Sequence, residues 1–245
     1  MSDESRLVAK PGAWTELALT LPVFLTYQFG VVFLRVHNAT DIVTEQLLRL
    51  SHGDAAIYFG LTAAIGIGLV SVFTVLGRGE AMRLRKLVQV ALEGSAYAVA
   101  MGAATSWVVG KMFARPAVPE TGGPLSGVVM SLGAGFYEEL AFRVVLFGLG
   151  AKLLVWLFVR QKVGLVGRAP PLGVGAILVM MIWAAASAAI FSGMHYVGAL
   201  AYPFDARSFV ARAVLGLALT LVYALRGFAV AVWTHALYDI WVLMA

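Results

Sequence analysis

Seven stretches of this chain are long and apolar enough to cross a lipid bilayer, which leaves few folds open to it. A helix needs about 20 mostly apolar residues to span the hydrocarbon core. Runs of that kind cover about residues 13–34, 55–77, 87–110, 125–159, 172–197, 209–225 and 227–245. They predict an all-α, polytopic transmembrane helix bundle of about seven spans, forming a single integral membrane domain over 1–245. Composition agrees: 61% of residues are hydrophobic and 13% charged, half of the roughly 25% charged content of soluble domains. No stretch is polar enough to build a separate soluble domain. The run 125–159 would measure about 50 Å as one straight helix, and Gly133 and Gly135 are candidate breaks in it.

The connectors add topology. Within 35–54, residues 41–50 read either as a short amphipathic surface helix or as a polar loop. With seven spans, the N-terminus, the loops holding Arg78, Arg83, Arg85, Lys86 and Lys152, Arg160, Lys162, Arg168, and Arg226 share one side. That side carries eleven Lys and Arg against six on the other, with Arg143 internal. The bias predicts a cytoplasmic N-terminus and an outer C-terminus. It also accounts for the net charge of +5 without nucleic acid as a partner. The polar start, with Asp3, Glu4, Arg6 and Lys10, lacks the basic and apolar regions of a signal peptide. Cysteine is absent, so the chain has no disulfides, no thiolate zinc site and no thiol nucleophile.

Against this background, ionisable groups inside spans stand out, because a charge at bilayer depth costs roughly 2.5–3.5 kcal/mol and is usually functional. They form three clusters: Glu138-Glu139-Leu140-Ala141-Phe142-Arg143, Phe191-Ser192-Gly193-Met194-His195, and His235-Ala236-Leu237-Tyr238-Asp239. Glu139 and Arg143 are four apart, in the favoured acid-first order on one helix face. Glu138, turned about 100° away, is left to do chemistry while Glu139 braces. An unpaired carboxylate in an apolar site is suited to taking a proton from water. Phe191 and His195 share a face, as do His235 and Asp239, and a carboxylate one turn from a histidine can fix its tautomer. Taken singly, each cluster also reads as a tie between helices. Glu93, alone in the third span, reads as an arginine partner or as part of a water path. His37 and His52, in the first connector, look incidental.

Together the clusters follow the order Glu-Glu-x-x-x-Arg, Phe-x-x-x-His, His-x-x-x-Asn/Asp. This resembles the CPBP family, the CAAX prenyl endopeptidase and bacteriocin-processing group of intramembrane proteases. Leu225-Arg226-Gly227 ahead of Trp233-Thr234-His235 is similar to the family's Arg-Gly lead-in. The resemblance covers about 135–239, within a motif-bearing catalytic core of about 125–245; the first three spans carry no matching motif. It implies hydrolysis of a peptide bond in a membrane-bound protein or peptide in the lipid bilayer, with a prenylated CAAX-type substrate as one candidate. Glu138 would be the general base on water, and His195 would hold that water. His235 and Asp239 would stabilise the oxyanion, with Glu139, Arg143 and Phe191 supporting. Many relatives have Asn at the last position. Asp239 cannot donate a hydrogen bond unless protonated, so orienting His235 is the favoured role for it. No cofactor is expected; the alternative is zinc on Glu138, His195 and His235 with water in the fourth place.

Other intramembrane proteases lack support. Ser192-Gly193 has no glycine two residues before the serine as a rhomboid requires, no His-Glu-x-x-His is present, and Tyr238-Asp239 has no Gly-x-Gly-Asp partner. The last span has no lysine for a retinal. The alternatives are a proton-coupled transporter, since intramembrane acids and histidines also make proton relays, and a non-cleaving scaffold or immunity protein. No inverted repeat supports a transporter. The Ala, Gly and Val excess points to a prokaryotic inner membrane. One conflict stands in the spans as drawn. They leave His195 near the outer face, about 20 Å from Glu138 and His235, too far for one shared water.

Overall fold

The computed structural model describes residues 10–38, 41–79, 82, 84–112, 123–163, 172–197 and 203–244. Asp3, Glu4, Arg6, Arg83 and Arg168, which enter the sequence argument above, lie outside them. The described residues form a helical bundle: α1 (Ala13–Leu34), α2 (Ile42–Leu50), α3 (Ala55–Leu76), α4 (Leu84–Met112), α5 (Pro124–Gly133), a π-helix (Ala134–Leu149), α6 (Gly150–Val159), α7 (Val174–Met194), α8 (Ala206–Arg226) and α9 (Phe228–Met244). Six membrane-length apolar helices result, because α5, the π-helix and α6 run on as one 36-residue element. The seventh, α9, is shorter, at 17 residues.

The long fourth run is therefore continuous, and Gly133 and Gly135 do not break it. Its hydrogen bonding changes register instead, from i→i+4 to i→i+5 at Ala134 and back at Gly150. π-Helical turns are usually single and functional; this one runs for 16 residues and carries the whole Glu138 cluster. The two glycines serve close packing. Gly133 lies against the Tyr27 ring, and a Cβ on Gly135 would sit 2.8 Å from both the Val232 carbonyl and the Ala236 Cβ. Gly135 thus lets α9 approach the π-helix.

α9 is the centre of the bundle, touched by α1, α4, α5, the π-helix and α8. Ala229, Val230, Ala231, Val232 and Thr234 are fully buried. Its start is a one-residue turn, with Gly227 at φ 97°. The carboxylate of Glu16 on α1 accepts the backbone N–H groups of Phe228, at 3.2 Å, and Ala229. These are donors that the first turn of any helix leaves unpaired. The outer helices are apolar all round: Ile67 on α3 and Ile182 on α7 are 67% and 71% exposed, surface suited to lipid.

The first connector does hold a helix. Asp41 caps α2 by accepting from the Thr44 N–H at 2.9 Å, Thr44 and Leu47 face inward, and Ile42 and Leu50 lie on the surface. Burial pushes the Asp41 carboxyl above its ordinary range, against the opposing hydrogen bonds from Thr44. Below α2, Gln28 donates to the Tyr137 hydroxyl at 2.5 Å and accepts from Tyr58, so a polar cluster ties α1 and α3 to the π-helix.

Candidate active site

The π-helix presents Glu138, Glu139 and Arg143 to the interior, where they are 3%, 0% and 1% exposed. Arg143 Nη1 lies 3.1 Å from Glu139 Oε1, Nη2 donates to the Gly216 carbonyl of α8 at 3.3 Å, and the guanidinium sits 4.3 Å from the centre of the Phe191 ring. A buried arginine is thus met by a carboxylate, a carbonyl and an aromatic face. The pair expected from spacing forms, although in a helix with more residues per turn than the α-helix that the spacing assumed. The turn from Glu138 to Glu139 is correspondingly smaller than 100°.

Glu139 has a second partner that local spacing could not reveal. Its Oε1 lies 2.8 Å from His235 Nδ1 on α9. An ionised carboxylate only accepts, so Nδ1 carries the hydrogen. Nε2 then faces Glu138 Oε2 at 3.8 Å and Asp239 Oδ2 at 3.5 Å. The shorter contact, the one that sets the ring's tautomer, belongs to Glu139, while Asp239 faces the opposite nitrogen.

His195 follows the last residue of α7, with Nδ1 3.0 Å from the Phe191 carbonyl. A carbonyl can only accept, so in the neutral ring Nε2 bears the lone pair. The Phe191 ring lies 5.2 Å from the His195 ring and 6.2 Å from the His235 ring. The two imidazoles are therefore no further apart than those two steps together, well short of the 20 Å implied by the hydropathy boundaries. Those boundaries assumed that every helix starts at the bilayer surface. Helices of 36 and 17 residues do not fit one such scale.

Two further residues complete the surroundings. Asn38, just beyond α1, donates from Nδ2 to Glu138 Oε1 at 3.0 Å, while its backbone N–H donates to the Tyr27 hydroxyl at 3.1 Å. No motif pointed to it. Glu93 proves to be an arginine partner: Arg226 bonds it through Nε at 2.9 Å and Nη2 at 2.8 Å, and Gln89 adds a third bond at 2.6 Å. Among the described residues, no group of three or more His, Asp or Glu side chains is placed to hold a metal ion.

Two adjacent acids, one bound to Arg143 and His235 and the other facing His235 Nε2, beside a second imidazole, have the residue types needed for adding water to a carbonyl. Residues 121–241 match the family model described as type II CAAX prenyl endopeptidase, Rce1-like. The chain belongs to this family. It is an integral membrane peptide hydrolase, a CAAX-type intramembrane endopeptidase. The match takes in the π-helix, α7, α8 and most of α9, and so all three clusters; α1 to α4 and Asn38 lie outside it. No curated protein and no solved structure matches the chain.

Proposed function

We propose that this CAAX-type endopeptidase cleaves a membrane-anchored protein or peptide with water activated by Glu138. The observation that carries the reading is the division between adjacent acids. Glu139 is committed to Arg143 and His235, whereas Glu138 turns Oε2 toward His235 Nε2 at 3.8 Å. Glu138 takes a proton from water, while His195 Nε2 accepts a hydrogen bond from the O–H that remains. The hydroxide adds to the scissile carbonyl. His235, as imidazolium, donates from Nε2 to the resulting oxyanion. Glu138 then passes its proton to the leaving amine, and the C–N bond breaks. Asp239 holds the ring's positive charge from the side of Nε2. Arg143 and Phe191 keep Glu139 and both imidazoles in register.

The proposed route uses protein groups and water alone. The proposed substrate is a C-terminal segment whose prenyl group stays in lipid while the peptide enters the bundle, in a prokaryotic inner membrane. The test is cleavage of a farnesylated CAAX-type peptide by protein purified into nanodiscs. Glu138→Gln should lower kcat by about 10²- to 10⁴-fold with the thermal unfolding midpoint retained. A fully active Glu138→Gln variant sinks the mechanism, and wild-type protein that binds the peptide without cutting it favours the scaffold reading. A tight chelator should leave the rate unchanged; loss of activity that zinc restores would install the metal alternative.

A further inference from the structure

We infer that Asn38 is a positioning residue for the general base, so that the first connector, outside the segment matching the family, completes the active site. The inference rests on the proposal that Glu138 is the base.

Asn38 stands 100 residues from Glu138 in sequence, yet its side-chain amide donates to Glu138 Oε1 at 3.0 Å. The amide is held at its root, because the Asn38 backbone N–H donates to Tyr27 Oη at 3.1 Å. Tyr27 is itself fully buried, packed edge-on against Tyr137 at 5.8 Å between ring centres, next to Glu138 on the π-helix. The connector is therefore fixed to the wall of the site. From this post Asn38 occupies one carboxylate oxygen of Glu138. The other, Oε2, is the oxygen directed at His235.

A carboxylate on a flexible side chain has two equivalent oxygens and free rotation about its last bond. One directed N–H bond removes both degeneracies and leaves a single oxygen aimed at the reaction space. Bonds to a charged acceptor are the stronger class. Misplacement of a reacting group by about 1 Å can cost about 100-fold in rate. Asn38 also suits the position chemically. An Asp there would confront Glu138 with a second negative charge, and an aliphatic residue would leave Oε1 without this donor. Asn38 does not reach the reacting atoms in this scheme; it acts through Glu138.

The experiment is a kinetic comparison on the farnesylated CAAX-type peptide in nanodiscs, with unfolding midpoints recorded for every variant. Asn38→Ala should lower kcat by about 10- to 100-fold and leave KM within about twofold, because ground-state binding of peptide does not involve the residue. Asn38→Asp, the same size without the donor, should fall at least as far. Asn38→Gln, which keeps an amide N–H, should recover part of the loss. The backbone bond to Tyr27 survives all three substitutions, so the variants read the side chain alone. Wild-type kcat in Asn38→Ala or Asn38→Asp overturns the inference, and so does a loss carried wholly by KM or by a matching drop in midpoint. Glu138→Gln runs in parallel. If that variant stays active, the choice of base falls and this inference with it. If it is inactive while both Asn38 variants turn over normally, only the role of Asn38 falls.

Discussion

The Glu93–Arg226 pair and the Glu139–Arg143 pair both set an acid against an arginine within membrane-spanning helices, and they differ in what is left over. Glu93 meets Arg226 through two nitrogens and takes a third bond from Gln89, and both ends keep some exposure, at 22% and 11% of the side chains. Its hydrogen bonding is turned inward and ties α4 to the end of α8. The Glu139–Arg143 pair has no such exposure, at 0% and 1%, and it opens outward. Glu139 also holds His235, and a second acid, Glu138, sits beside it with Asn38 on one oxygen and His235 near the other. An intramembrane charge marks chemistry where acids outnumber cations and an imidazole joins them. Balanced with its arginine, it marks architecture.

That contrast can be broken at its strongest point with Arg143→Met. Removing the cation leaves the buried Glu139 with His235 and no arginine, a change worth about 3–5 kcal/mol of stability, and activity should vanish with it. A small shift in the unfolding midpoint would mean that the two pairs are energetically alike. Gly135→Ala comes next. Its new methyl would meet the Val232 carbonyl and Ala236 at 2.8 Å, and overpacking of this kind costs about 1–3 kcal/mol. It should push α9 away and lower kcat more than it raises KM, since it parts His235 from Glu139. Arg226→Met should cost less, about 1–2 kcal/mol, because Glu93 keeps Gln89 and some solvent. Its specific activity per folded molecule should be unchanged, and a loss of turnover would draw Glu93 into the site. The smallest effect is expected for Asp239→Asn. Since Glu139 and Glu138 still face the His235 ring when Asp239 loses its charge, kcat should change by less than about fivefold, under about 1 kcal/mol of barrier. A hundredfold fall would return to Asp239 the orienting role that helical spacing assigns it.

The apolar runs were legible because bilayer thickness imposes a length that composition alone reveals, and the helices follow them closely from α1 to α8. Glu139–Arg143 was legible because four residues along any tight helix bring side chains together. The partners that complete the site were not. His235 reaches Glu139 across 96 residues and Asn38 reaches Glu138 across 100, and no local period encodes either contact. The π-helix was invisible for a related reason: hydropathy measures how apolar a run is and says nothing of which carbonyl each N–H selects. Glycines at 133 and 135 looked like breaks because propensity describes an isolated helix. In the bundle their missing side chains make room for Tyr27 and for α9.

The placement of α9 carries a consequence in time. Every helix around it precedes it in the chain, so the ribosome releases the central post after the walls. Residues 228–244 pack against helices made before them, and the Glu16 carboxylate on the first helix accepts the N–H groups of their leading turn. Among the described helices, the one that brings His235 to the acid pair is thus the last to be made.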